Sequence, residues 1–177
     1  MPFSSIDNLA PVCLELLWAR PKPNLAVDLG FGCGKWAALI REYVDGWGSP
    51  QYLQHHTYLV GVDAWEPYVQ SWHRALYDEL VISDILPFMR EGEDWDLALC
   101  IDVVEHFEKE QGLELLGLLK KHCKLALVAT PVDYFPQGAA FGNPHERHLS
   151  GWTIEELAEF GRVTRHETQY LLKISRK

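Results

Sequence analysis

The chain lacks any long hydrophobic run, and nothing in its 177 residues approaches the roughly 20 consecutive apolar residues of a membrane span. Its N-terminus also lacks a basic segment followed by an apolar region, which is the pattern of a secretory signal. We therefore expect a soluble, cytoplasmic protein with no membrane partner.

Cysteine and basic charge are also scarce. The four cysteines are widely spaced, so neither a disulfide framework nor a paired zinc motif is indicated. The 16 Lys and Arg residues are outnumbered by 25 Asp and Glu, which gives a formal net charge of -9. This balance argues against a broad phosphate-binding surface, and we expect no nucleic-acid partner.

Residues 25–36 are the most informative stretch. An apolar run contains Asp28 near its end and is followed by Gly30, Gly32 and Gly34 at alternate positions. This pattern is typical of a buried parallel strand that turns through a glycine loop into a helix. Residues without a Cβ let the chain turn sharply while a ligand lies against the backbone, so the loop is a candidate ligand cradle. A purely structural turn is the alternative.

The spacing of the glycines narrows the class of ligand. It departs from the G-x-G-x-x-G of dinucleotide folds. A phosphate loop fits poorly, because Lys35 comes one residue early and Trp36 stands where a Ser or Thr would hold magnesium. A carboxylate at Asp28 would repel phosphates but would suit a ligand with ammonium and sulfonium groups, such as S-adenosylmethionine.

The stretch from Asp28 to Gly34 resembles the first motif of the class I S-adenosylmethionine-dependent methyltransferases. The resemblance extends over almost the whole chain and is greatest to small bacterial members whose acceptors are mostly undefined. It rests on a Gly-Lys-Trp loop followed by Leu-Ile-Arg-Glu-Tyr at 39–43, and on Asp-Val-x-Glu-His-Phe at 102–107. It implies a Rossmann-like fold with S-adenosylmethionine as the cofactor.

The order of strand-like and helical segments predicts a doubly wound, mostly parallel seven-stranded sheet with helices on both faces. Residues 162–175 leave no room for another crossover helix, and an antiparallel hairpin at the sheet edge fits them best. With 47% hydrophobic residues, the chain at 1–177 is the size of one domain. The strand-like segments are the start of 25–36, then 58–63, 80–85, 95–102 and 125–130.

Two acidic strand ends are candidate cofactor ligands. Asp63 ends the second strand, where doubly wound folds place a carboxylate to accept hydrogen bonds from ribose hydroxyls. It lies further from the first motif than usual, so residues 46–57 are expected to form an inserted loop. Trp65 could cover the adenine or belong to the core. The resemblance implies that Asp84 accepts a bond from the adenine amino group, and a helix N-cap is the alternative.

The fourth strand leads into the loop where this architecture places its reaction site. His106 is the candidate general base because imidazole titrates near neutrality, with Asp102 orienting it or holding the cofactor or acceptor. Glu105 and His106 could instead cap the following helix. Residues 134–150 are a long polar segment that we expect to form a lid over the acceptor pocket.

Within that segment, His145, Arg147 and His148 are candidate acceptor-binding residues. His145 and His148 could bind a metal together with His106, but no diagnostic ligand spacing supports such a site, so no metal is expected. Beyond the segment, Thr153 is a candidate helix N-cap with Glu156 at the capping-box position.

The predicted function is transfer of a methyl group from S-adenosylmethionine to an oxygen or nitrogen of a small or sugar-like acceptor. The alternative is a non-catalytic module that keeps the cofactor pocket and regulates or assembles with a partner. Asp102 and His106 beside an open loop favour the enzyme. A nicotinamide-dependent oxidoreductase is disfavoured by the glycine spacing and by the lack of a second substrate domain. No oligomeric state is predicted.

Overall fold

Seven strands form one sheet in the computed structural model, which describes residues 4–47 and 55–176. The strands are β1 Leu25–Leu29, β2 Tyr58–Asp63, β3 Glu79–Ile82, β4 Trp95–Ile101, β5 Cys123–Pro131, β6 Arg162–His166 and β7 Gln169–Ser175. Their order across the sheet is β3-β2-β1-β4-β5-β7-β6. Strands β1 to β5 pair in parallel, whereas β7 is antiparallel to both β5 and β6. The predicted mostly parallel sheet with a C-terminal antiparallel hairpin is confirmed.

Helices cover both faces of this sheet. They are α1 Leu9–Trp18, α2 Lys35–Ile40, α3 His73–Leu76, α4 Ile85–Glu91, α5 Lys109–His122 and α6 Ile154–Ala158. Leu16 of α1 and Ile40 of α2 are fully buried against one face, and Leu86 of α4 and Leu116 of α5 are buried against the other. The doubly wound arrangement is therefore confirmed. Among the described helices, none combines the length and the apolar character needed to cross a bilayer.

The start of α6 follows the capping rule that the sequence indicates. The Thr153 hydroxyl accepts from the Glu156 backbone N–H at 3.3 Å, and the Glu156 carboxylate accepts from the Thr153 N–H at 2.9 Å. Two N–H groups without helical partners are thereby satisfied, and the predicted capping box is confirmed.

The predicted inserted loop at 46–57 lies partly outside the described residues, since 48–54 are not among them. Its two described ends are held together by buried polar groups. Arg41 Nη1 contacts Asp45 Oδ2 at 2.8 Å and donates to the Thr57 carbonyl at 2.6 Å, while Thr57 Oγ1 donates to Asp45 Oδ1 at 2.7 Å. This cluster fixes the entry to β2, which carries Asp63 to the site.

Candidate functional site

Two adjoining cavities open at the carboxyl ends of β1, β2 and β4. The larger has a volume of about 540 Å³ and the smaller about 130 Å³. Gly30, Gly32, Asp102 and His106 line both of them. The strand order reverses direction between β1 and β4, and doubly wound sheets bind their ligands outside the strand ends at such a point.

The glycine loop needs glycine for backbone and for steric reasons. Gly30, Gly32 and Gly34 have φ of +75°, +49° and +78°, in the left-handed region that favours glycine. A Cβ at Gly30 would lie 2.6 Å from Val103 Cγ2, which follows β4. Gly34 is the N-cap of α2 and packs against His73. It is not among the described residues that line the cavities. Two of the three glycines therefore present backbone to the cavities.

Asp63 joins the second strand to this loop. Its carboxylate accepts from the Gly32 N–H at 3.1 Å and from the Trp65 N–H at 2.8 Å. Burial raises the pKa of Asp63 above its ordinary value, and the two backbone bonds oppose that rise. Asp63 lines the smaller cavity, in keeping with its predicted place beside the ribose.

Asp84 and Trp65, the other residues assigned to the nucleoside, differ in their placement. Asp84 lines the smaller cavity. It occupies the N-cap position of α4, but among the described residues its side chain makes no capping bond. The Trp65 ring packs beside His145, with centroids 6.5 Å apart, and lies outside the described residues that line the cavities. Of this pair, only Asp84 lines a cavity among the described residues.

Asp28 is not among the described residues that line either cavity. Its carboxyl group is 1% exposed and accepts from the Tyr77 hydroxyl at 2.5 Å. Burial raises the pKa of Asp28 to about 7, against the lowering effect of the Tyr77 bond. Asp28 is a buried group behind the glycine loop, and its position does not support the predicted contact with a cationic ligand.

Asp102 directly follows β4 and has a strained backbone. Its φ is +55°, an uncommon conformation for a residue with a Cβ. The carboxylate accepts from the Ser5 N–H at 2.9 Å and from Asn8 Nδ2 at 3.0 Å. Burial raises the pKa of Asp102 to about 6, and these bonds hold it lower than burial alone would. Strain of this kind persists only where the surroundings fix it, and it clusters at functional sites.

Glu105 and His106 belong to a 3-10 turn, Val104–His106, that begins two residues after Asp102. His106 Nδ1 lies 3.0 Å from the Arg147 carbonyl oxygen, and burial lowers the pKa of His106 below its ordinary value. Glu105 is 3% exposed and accepts from Thr130 Oγ1 at 3.0 Å. Burial, with the nearby charge of Asp102, raises the pKa of Glu105 well above its usual range.

Residues 134–150 lie along the cavity edge. His145 lines the smaller cavity and His148 the larger, whereas Arg147 contributes its backbone carbonyl to His106. Tyr68 donates its hydroxyl to Glu146 Oε1 at 2.7 Å and so ties the segment to the region after β2. The predicted acceptor-binding residues are thus near one another, with Arg147 in a different role.

The N-terminal segment also contributes to the site, although no sequence pattern predicts it. Ser5 lines the larger cavity, and both Ser5 and the buried Asn8, which is 1% exposed, donate hydrogen bonds to Asp102. Lys35 Nζ and Trp36 Nε1 both bond to Ser4, at 3.4 and 3.0 Å. Polar residues before a first helix carry no periodic signal, so only the burial of Asn8 within the fold reveals this contact.

Solved structures of methyltransferases share this fold. An O-methyltransferase family protein from Burkholderia thailandensis is 13% identical with a TM-score of 0.61, over 96% of this chain and 57% of its own. The small RNA methyltransferase HEN1 is 20% identical with a TM-score of 0.66, over 100% of this chain and 26% of its own. Magnesium protoporphyrin IX methyltransferase from Synechocystis PCC 6803, with bound SAM, is 16% identical with a TM-score of 0.61, over 96% and 78%.

The likeness to these structures is one of fold. The predicted Rossmann-like methyltransferase architecture is confirmed at identities of 13–20%. The chain spans only 57% and 26% of the first two proteins. No protein-family model matches the chain, and no curated protein matches it in sequence.

Proposed function

We propose that the protein binds S-adenosylmethionine in the two cavities and transfers its methyl group to an oxygen or nitrogen of a small or sugar-like acceptor. The observation that carries the proposal is the hydrogen bond between Gly32 and Asp63, which joins the glycine loop after β1, beside the switch point of the sheet, to a carboxylate at the end of β2. Similarity to methyltransferase folds, one of them solved with bound SAM, supports it.

The smaller cavity suits the nucleoside. Asp63 and Asp84 both line it, and we assign Asp63 to the ribose hydroxyls and Asp84 to the adenine amino group. Trp65 flanks this space through His145. Asp102 lines both cavities, and in this assignment it would hold the amino group at the amino-acid end of the cofactor.

The larger cavity suits the acceptor. Bound S-adenosylmethionine would supply the methyl group: an acceptor lone pair would attack the methyl carbon, the carbon–sulfur bond would break to leave a neutral thioether, and the acceptor would release a proton. The chain positions the acceptor in line and receives or passes on that proton. A carbonyl oxygen only accepts, so His106 Nδ1 donates to Arg147 and Nε2 keeps the lone pair of the neutral ring. His106 is the candidate proton acceptor, and His148 lines the same cavity.

A small acceptor is favoured by charge. Four acidic residues and one lysine are among the described residues that line the larger cavity, namely Asp102, Glu105, Asp133, Glu146 and Lys35. With the net charge of -9, such a lining repels phosphates. RNA is the competing acceptor because one structural neighbour is an RNA methyltransferase.

Calorimetry with S-adenosylmethionine and with S-adenosylhomocysteine tests the cofactor site. We expect both to bind, and Asp63→Ala to weaken binding by roughly 1–3 kcal/mol through unpaired ribose hydroxyls. Asp96→Ala removes the same charge at the opposite end of the sheet, beside Asn24 and Lys124, and should leave the affinity unchanged. The absence of binding heat with either compound would exclude the site. An unchanged affinity in Asp63→Ala would show that the ribose is bound by other residues.

A screen of acceptors with detection of S-adenosylhomocysteine tests the reaction. Sugars, small amines, phenols and short RNAs form its arms. Product with a small acceptor supports the proposed enzyme, whereas product with RNA alone overturns the small acceptor. Cofactor binding without product in any arm favours the non-catalytic module.

A further inference from the structure

Three potential metal ligands converge on the larger cavity. One ligand atom from each of Glu105, His106 and His148 lies within 4.8 Å of the other two. Two ligands about 2.1 Å from one ion are at most about 4.2 Å apart, so side-chain adjustments of under about 1 Å place all three on a common ion. The two imidazole rings already meet edge to face, with centroids 5.0 Å apart.

Both imidazoles are oriented as metal-binding histidines usually are. His106 Nδ1 lies 3.0 Å from the Arg147 carbonyl, and His148 Nδ1 lies 3.0 Å from the Phe135 carbonyl. Carbonyl oxygens accept only, so Nδ1 carries the proton in each ring and Nε2 keeps its lone pair in the neutral form. A backbone carbonyl behind the ring fixes the tautomer and raises the basicity of the ligand nitrogen.

The ligands come from two segments that the backbone holds together. The Leu149 and Ser150 N–H groups donate to the Glu105 carbonyl at 2.8 and 3.1 Å. With the bond from His106 to Arg147, three hydrogen bonds join the turn after β4 to the end of residues 134–150. Thr130 Oγ1 orients the Glu105 carboxylate from β5. The cluster is therefore largely built before any ion arrives.

We propose that Glu105, His106 and His148 bind a divalent transition-metal ion such as Zn²⁺, Mn²⁺ or Co²⁺, with its open coordination positions facing the larger cavity. Two imidazoles and one carboxylate suit these ions better than Mg²⁺, which prefers oxygen ligands. The surrounding carboxylates of Asp102 and Glu146 add negative charge on the same cavity.

The binding of the ion stands on the cluster alone, while its role rests on the proposed function. An acceptor hydroxyl bound to the ion gives up its proton to solvent water more readily and is held near the cofactor methyl. His106 Nε2 then coordinates the ion and does not take the proton. This assigns the acceptor to a class with a coordinating oxygen.

Cobalt titration of protein without a polyhistidine tag tests the site without any cofactor or acceptor. We expect one Co²⁺ per chain, a visible d–d absorption band, and displacement of that band by Zn²⁺. His106→Asn and His148→Asn should each weaken Co²⁺ binding by about 100-fold or more, because loss of a supporting group alone costs about 10–100-fold. His145→Asn is the matched control and should bind Co²⁺ as the native chain does.

Separate readouts keep the outcomes apart. Melting curves and S-adenosylhomocysteine calorimetry establish that each variant is folded, and failure of that calorimetry in the native chain counts against the proposed function alone. The absence of a visible band in the native protein would overturn the metal site. Folded His106→Asn and His148→Asn variants that bind Co²⁺ as tightly as the native chain would also overturn it. A near-ultraviolet thiolate band would place the ion on a cysteine and would also overturn the proposed site.

Discussion

Several carboxyl groups are buried in or directly behind the two cavities. Asp28, Asp63, Asp102 and Glu105 are each desolvated, and the pKa of each is raised for that reason first. Their partners differ: a tyrosine hydroxyl, backbone N–H groups, an asparagine amide and a threonine hydroxyl. Such carboxyl groups cost folding free energy unless a donor or a cation offsets them, and functional sites concentrate them.

Asp28 makes this cost measurable through pH. Its pKa rises from the ordinary aspartate value of 3.8 to about 7 in the folded chain. The folded state is therefore favoured most below pH 3.8, and the contribution is lost as the pH rises to about 7. Relative to Asp28→Asn, which can still accept from Tyr77, native stability should fall by a few kcal/mol over that range, at about 1.4 kcal/mol per pKa unit.

Urea unfolding of the native chain and of Asp28→Asn at several pH values between these limits checks this prediction. The difference between the two free energies of unfolding removes the contribution of the other titrating groups. A difference that stays constant with pH would contradict the raised pKa of Asp28.

At the scale of elements, the glycine loop is set by contacts between strand ends. Gly30 lies under Val103, and its N–H donates to the Val62 carbonyl at 2.7 Å. Gly142 has nearly the same φ, +76° against +75°, but a Cβ there meets nothing within 4 Å. A comparison of alanine substitutions at Gly30 and Gly142 therefore distinguishes the cost of backbone strain from the cost of steric crowding.

We predict that Gly30→Ala destabilises the protein more than Gly142→Ala. Both variants meet the left-handed cost of about 1–2 kcal/mol. Gly30→Ala adds overpacking against Val103, and its loss should be larger by about 1–3 kcal/mol. Denaturant unfolding measures the free energy of unfolding of both variants. Equal losses would show that the Val103 side chain can move aside without destabilising the protein.

The segment 134–150 is the other element on which function depends. We predict that it acts as a lid, with amide exchange across 134–146 slowing when cofactor and acceptor are both bound. The Leu149 and Ser150 N–H groups already donate to Glu105, so they should be protected in the free protein as well and serve as an internal reference. Equal exchange across 134–146 in free and saturated protein would argue against a lid.

At the scale of the whole molecule, one end of the sheet collects all the features of the site. Parallel pairing of β2, β1 and β4 brings their carboxyl ends to one edge, so Asp63, Gly30 and Asp102 line one cavity although they are far apart in sequence. A ligand held there contacts several elements at once and should stabilise the entire fold.

We therefore predict a rise in melting temperature with S-adenosylhomocysteine. At 100 times its dissociation constant, a ligand adds about 2.7 kcal/mol. At about 2–4 °C per kcal/mol for a chain of this size, the melting temperature should rise by roughly 5–11 °C. NAD serves as the matched control and should produce no shift, since the glycine spacing departs from that of dinucleotide folds. A shift with NAD alone would favour the oxidoreductase instead.

Local patterns in the sequence are sufficient to predict much of the fold. Apolar runs that end in acid or glycine mark β1, β2 and β4, and the lack of room after residue 162 predicts the hairpin of β6 and β7. The capping box at Thr153 is equally local. Such features depend on neighbours within a few residues, so they can be predicted without knowledge of the fold.

Which polar groups come into contact depends on how the chain packs. Asp28 and Asp63 both stand at acidic strand positions, yet Asp28 faces Tyr77 and Asp63 faces the glycine loop. The approach of Asn8 to Asp102 and of His148 to Glu105 and His106 joins segments that are distant in sequence. The direction in which each polar side chain points, its burial and its distant partner all result from the packing of helices on the two faces of the sheet. No local sequence pattern predicts them.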